Sequence, residues 1–138
     1  HGAVGSLARL NEITPMPAVT LSDAIARYGR NAFFLSIGKD GPHTSNVSVD
    51  LRGNLIACSL GASAVKNIER EPKVSLFWPP LKPGGYAMIL NGTAIGTAQA
   101  DGAVRAEISL TKSVLHRPGS KHEGSEGPCA SDCRRIPI

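Results

Sequence analysis

Between residues 31 and 60 the chain alternates apolar and polar side chains in short runs, and each run stops at a turn signal. Phe33, Leu35 and Ile37 alternate with Phe34, Ser36 and Gly38, and the run ends at Lys39-Asp40-Gly41, where Asp-Gly is a strong hairpin signal. A partner strand over residues 43–51 follows, with Val47, Val49 and Leu51 on one face and Asn46, Ser48 and Asp50 on the other. Arg52-Gly53-Asn54 then turns the chain into a third strand over residues 55–60. Three sequential strands joined by tight turns predict an antiparallel meander.

The pattern on either side is mixed. Residues 1–19 show little periodicity and read as a lead-in arm, made extended at its end by Pro15 and Pro17. Leu21, Ala24, Ile25 and Tyr28 share one helical face, with Thr20 or Ser22 as cap and Gly29 as a left-handed stop. After Gly61, Ser63 is the expected cap of a second short helix that turns Val65 and Ile68 inward and Lys66, Glu69 and Arg70 to water until Pro72 ends it. Val74, Leu76 and Trp78 mark a returning strand closed by Pro79-Pro80.

Residues 81–85 are a Pro/Gly loop, and residues 86–98 are apolar and β-rich but interrupted by Asn91-Gly92. That dipeptide admits a hairpin turn or one long strand bent by a glycine bulge. The bent strand is preferred, because the segment then pairs through the clearer turn at Asp101-Gly102. Val104, Ala106, Ile108 and Leu110 alternate cleanly with Arg105, Glu107, Ser109 and Thr111. From Lys112 onward the alternation stops, so residues 112–138 are expected to form a tail, flexible or draped over the surface.

These elements predict one mainly β domain over residues 20–111, with six strands and two short helices. Only one helix lies between strands, which rules out a doubly wound parallel sheet and leaves a small antiparallel barrel. Composition agrees: 41% hydrophobic and 19% charged residues describe a globular chain of 138 residues. The net charge of +4 is mild, and aromatics at 4% show no basic stripe of the kind that holds nucleic acid. No apolar run approaches the roughly 20 residues that cross a bilayer, and residues 1–19 lack a basic region followed by an apolar one. Three cysteines, an odd number, fit a reducing cytoplasm rather than a disulfide framework, so the chain is expected to be soluble and unexported.

Strong catalytic signatures are absent: there is no phosphate-binding glycine loop, dinucleotide fingerprint, HExxH or GxSxG. Cys58 lies mid-strand with no histidine near it in sequence, which fits a small core residue better than a nucleophile. The polar residues placed to meet a ligand are Thr44, Ser45, Asn46, Ser59, Ser63 and Lys66. The start of the second helix offers free N–H groups and a positive dipole end to an anion. By pattern alone, Ser63 as a simple cap and Lys66 as a solvated charge remain the plainer reading. Trp78, beside Pro79-Pro80, fits either the core or one wall of a groove. His116, His122, Cys129 and Cys133 in the tail are metal-ligand types at irregular spacing.

The order of strands and helix, followed by Asn67-Ile68-Glu69-Arg70-Glu71-Pro72-Lys73-Val74-Ser75-Leu76, resembles the pyridoxamine 5′-phosphate oxidase-like, FMN-binding split β-barrel family. Gly92-Thr93-Ala94 is similar to that family's glycine-containing strand. The resemblance covers residues 20–111 and implies a six-stranded antiparallel split barrel that works as a homodimer, with a flavin in a groove between two barrels. It implies FMN, or a deazaflavin, as cofactor of an oxidoreductase acting on a small molecule. Thr44, Ser45, Asn46, Ser59, Ser63, Lys66 and Trp78 are the implied cofactor contacts, and no side chain is implied as a catalytic group. Many relatives carry Arg or Lys where this chain has Thr44, Ala62 and Ala64, which leaves Lys66 as the basic residue of that segment. The alternatives are a non-catalytic barrel that carries a deazaflavin or haem, and a barrel with a metal site in its tail.

Overall fold

The structure, a computed structural model, describes residues 20–118 and 132–138. Its elements are α1 (Leu21–Tyr28), β1 (Asn31–Gly38), β2 (Gly41–Arg52), β3 (Leu55–Leu60), α2 (Ala62–Arg70), β4 (Lys73–Trp78), β5 (Ala87–Ala100), β6 (Ala103–Arg117) and β7 (Asp132–Arg135). The expected arm over residues 1–19 lies outside the described residues.

All ladders are antiparallel, in the order β3-β2-β1-β4-β5-β6, and β3 pairs back onto β6 to close a six-stranded barrel. The turn chemistry explains the connections. Asp101 and Gly102 both have positive φ, at 50° and 78°, so the β5–β6 hairpin turns on the pair that most readily adopts such angles. Gly53, with φ of 66°, serves the β2–β3 turn in the same way.

The barrel interior holds Phe34, Val49, Ile56, Leu76, Trp78, Met88, Leu90, Ile108 and Leu115, all fully buried. α1 plugs one end. Thr20 Oγ1 accepts from the Asp23 N–H at 3.0 Å, Gly29 ends the helix, and Leu21, Ala24 and Ile25 face the core. Trp78 Nε1 donates to the Gly29 carbonyl at 2.8 Å and Tyr28 Oη to the Tyr86 carbonyl at 2.7 Å, which fastens the end of α1 to the sheet. Trp78 is 1% exposed, so it is a core residue and cannot form a groove wall.

β5 is one strand, with register shifts between Asn91 and Gly92 and between Ala94 and Gly96. At the first shift β6 contributes an extra residue, Thr111; at the second β5 contributes Ile95, which is exposed. A side chain at Gly92 would lie 2.6 Å from the Ser109 carbonyl oxygen and 2.7 Å from the Ile108 methyl group, so glycine is required there.

Two features depart from the sequence expectation. β6 continues to Arg117, because the bulge at Thr111 moves the buried positions from Ala106, Ile108 and Leu110 to Ser113 and Leu115. The chain then returns as β7, paired with β6 from Val114 to Arg117, so residues 112–117 and 132–135 are sheet and not tail. No helix among the described residues is long and apolar enough to cross a membrane.

Gly92→Ala is expected to destabilise the fold by about 2 kcal/mol or more, since backbone must move to admit the methyl group. Gly96→Ala, where the space is open, is expected to be neutral or slightly stabilising. Denaturant unfolding of the two variants checks the contrast, and equal midpoints would contradict it.

Candidate functional site

The outward face of the barrel is ordered by register. Thr44, Leu35, Ser75 and Asn91 are successive cross-strand neighbours on β2, β1, β4 and β5. Asn46, Phe33, Phe77, Ile89 and Val114 form the next row. The Phe33 and Phe77 rings are 6.3 Å apart, tilted by 40°. Apolar groups thus run across the middle of this face, flanked by hydroxyls and amides. Ser75 Oγ donates to Asn91 Oδ1 at 2.6 Å, and Thr111 Oγ1 donates to the Asn91 carbonyl at 3.2 Å.

A groove of about 460 Å³ opens on this face, lined among others by Leu35, Ile37, Pro42, Ser75, Asn91 and Thr111. Ile37 is 47% exposed beside it. A second hollow of about 360 Å³ lies between the β1–β2 turn and α2, lined by residues 38–43 with Ser63 and Asn67. The two adjoin at Pro42, which lines both. A third hollow of about 540 Å³ lies on the other flank of α2 and is lined by Leu60, Gly61, Ala62, Lys66 and residues 102–104.

α2 is held against the barrel by a polar contact that sequence periodicity does not reveal. Asn67, on its inner face, donates through Nδ2 to Ser36 Oγ at 3.0 Å, and both residues are buried. Arg70 Nη2 reinforces it by donating to the Ile37 carbonyl at 2.6 Å and to Asn67 Oδ1 at 3.3 Å. The cap of α2 is Gly61, whose extended backbone supplies no side-chain hydrogen bond, so Ser63 lies within the first turn instead of capping it. The first-turn N–H groups therefore carry no side-chain acceptor from the cap.

The structure separates the sequence-predicted residues. Thr44 and Asn46 lie on the outward face of β2. Ser45 faces inward, and its hydroxyl, like His43 Nδ1, is buried without a hydrogen-bond partner among the described residues. Ser63 and Lys66 open onto different hollows on either flank of α2. Ser59 is on the outward face of β3 and accepts from Arg105 Nη1 at 3.3 Å.

Ser59 belongs to a charge cluster absent from the sequence reading. The Asp50 carboxylate takes the Arg30 guanidinium through Oδ1 and Arg105 Nη2, at 2.5 Å, through Oδ2. Arg30 also donates Nε–H to the Val49 carbonyl at 3.1 Å. Alternation placed Asp50 outward, but only barrel closure brings Arg105 to it. Cys58, behind this cluster, is fully buried, and burial pushes its thiol up to about 11, a shift that Arg105 only partly opposes. It is a packing residue. Among the described residues no group of three or more His, Cys, Asp or Glu side chains could hold a metal ion; His122 and Cys129 lie outside them.

No sequence-family model matches the chain. Uncharacterised proteins of Mycobacterium bovis and Mycobacterium tuberculosis are each 27% identical over 97 residues, covering 68% of this chain. The match spans 64% of the length of those relatives. Among solved structures, an F420 reductase superposes with a TM-score of 0.58 at 13% identity, over 71% of this chain and 98% of its own. A Clostridium acetobutylicum protein of the pyridoxinephosphate oxidase family, related to general stress protein 26, gives 0.57 at 12% identity, over 70% and 85%. The haem storage protein of Vibrio cholerae gives 0.53 at 11% identity, over 68% and 92%. The likeness is one of fold, and the chain has the split-barrel fold of the pyridoxamine 5′-phosphate oxidase-like proteins.

Asn67→Ala would leave the buried Ser36 hydroxyl without its donor and release Arg70 from one acceptor. It is expected to cost about 1 to 3 kcal/mol in denaturant unfolding. A loss indistinguishable from that of a surface substitution would remove Asn67 from the role assigned here.

Proposed function

We propose that this chain binds a flavin-type cofactor, FMN or a deazaflavin, on the outward face of β1, β2, β4 and β5 and serves the oxidation or reduction of a small organic molecule. The observation that carries the reading is the pair of cross-strand rows: Phe33, Leu35, Phe77 and Ile89 form an apolar strip edged by Thr44, Asn46, Ser75 and Asn91. A flat tricyclic ring has the same character, apolar in its plane and rich in hydrogen-bonding atoms at its edge, so the face fits it. The fold neighbours include an F420 reductase, which supports the class of ligand.

The phosphate end fits the second hollow. There Ser63, in the first turn of α2, adds a hydroxyl, and Lys39 and Asp40 stand at the rim; Gly61 and Ala62, at the very start of the helix, line the hollow on its other flank. Ala62 and Ala64 add no charge, so phosphate recognition rests on the Ser63 hydroxyl, Lys39 and the helix dipole. When bound, the flavin supplies hydride transfer, while the protein orients the ring and keeps water from it. Thr44, Asn46, Ser75 and Asn91 are assigned to the ring edge. A second copy of the chain laid on the half-buried strip would exclude water, and we assign the working unit as a homodimer. Cys58 and Cys133 as thiols fit a cytoplasmic setting.

Titration of the full chain with FMN, a deazaflavin and riboflavin, followed by flavin fluorescence, tests the reading. FMN is expected to bind more tightly than riboflavin. Ser63→Asp, which sets a carboxylate against the phosphate, is expected to weaken FMN by about tenfold or more while leaving riboflavin unchanged. Lys66→Ala, on the other flank of α2, is expected to have the smaller effect. Failure of all three compounds to bind would overturn the assignment, and retention of haem in their place would make the barrel a haem carrier.

A further inference from the structure

The addition of β7 to β6 sets a histidine beside a cysteine. His116 and Cys133 are direct register partners in that ladder, and His116 Nδ1 lies 3.3 Å from Cys133 Sγ. Both side chains are partly exposed. The pairing is fixed from both sides: Ile136, 3% exposed, anchors the end of β7 and donates its N–H to the Ser113 carbonyl at 3.1 Å, while β5 holds Ala87 opposite His116. Charged neighbours along the two strands are Arg117, whose guanidinium stacks 4.6 Å from the Tyr86 ring centre, Arg134 and Arg135. Asp132 is the register partner of Arg117.

We propose that His116 and Cys133 form an activated thiol, a modification site at which Cys133 exchanges with small anionic disulfides. A ring nitrogen in hydrogen-bond reach of a thiol can take its proton, and the resulting thiolate is the reactive nucleophile. In the exchange the thiol proton moves to His116 Nδ1 and Cys133 Sγ bonds to one sulfur of the disulfide. The disulfide's own S–S bond breaks, and its other half leaves as a thiolate and takes the proton. Cys133 is oxidised to a mixed disulfide, and the departing half is reduced to a thiol. Arg135, two residues along β7 and so on the same face of the sheet as Cys133, favours a carboxylate-bearing disulfide over a neutral one; Arg117 and Arg134 alternate to the opposite face. Cys58 supplies the contrast, since it is 0% exposed.

The test uses the full chain carrying Cys129→Ser, so that Cys58 and Cys133 are the remaining thiols, with dithiobis(nitrobenzoate) as the anionic probe and dithiodipyridine as the neutral one. One thiol is expected to react rapidly and to map by mass spectrometry to Cys133. Its rate should rise with pH through a midpoint below the value of about 8.5 of an ordinary thiol. At pH 6 it should exceed a simple thiol by about fivefold, with the anionic probe favoured. His116→Asn should remove that advantage and return the midpoint to the ordinary value. Reaction of Cys58 in that variant would report unfolding, and the pH profile of the protein retaining His116 then decides by itself. An ordinary-thiol profile there, or a folded His116→Asn protein with unchanged kinetics, overturns the proposal.

Discussion

The close approach of β5 and β6 at Gly92 governs the barrel. β5 must pair with β4 from Met88 to Thr93 and with β6 along its whole length, and β6 must in turn reach β3. A flat ribbon could not do all three. The extra residues Thr111 and Ile95 increase local twist and bend, and Gly92 lets the two backbones come together where the bend is made. Closure onto β3 follows, and with it the meeting of Arg105 and Asp50. The end of the outward-face rows depends on the same ladder, because Val114 stands opposite Ile89 in the part of β6 that lies beyond the extra residue Thr111.

Local signals in the sequence carry most of the fold. Turns at residues 39–41, 52–54 and 101–102 each stand between alternating runs, and the strands they join pair as expected. The pattern fails at bulges, since one inserted residue reverses the phase of every later position. β6 illustrates this: beyond Thr111 its buried residues shift by one, and a reading of strict alternation stops at Lys112. β7 is illegible for another reason, as four residues without alternation are defined by their partner strand alone.

The candidate site was legible only in part, for reasons of distance and direction. Alternation correctly turned Asn46, Ser48 and Asp50 outward on β2. It could not show that Asn67 would be buried, because its partner Ser36 is 31 residues away. Ser63 has the chemistry of a cap, yet Gly61 takes that position, which leaves the Ser63 hydroxyl beside the hollow near His43. Trp78 is the reverse case: its indole N–H finds the Gly29 carbonyl inside the barrel, and its whole surface is used there.

The proposed flavin lies on one outward face, whose groove adjoins the hollow beside Ser63 at Pro42. Amide chemical shifts of the labelled full chain on addition of FMN test it most directly. Perturbations centred on Leu35, Thr44, Asn46, Ser75 and Asn91, and extending to Ser63, are expected. Perturbations confined to another surface, or none at saturating FMN, would contradict it.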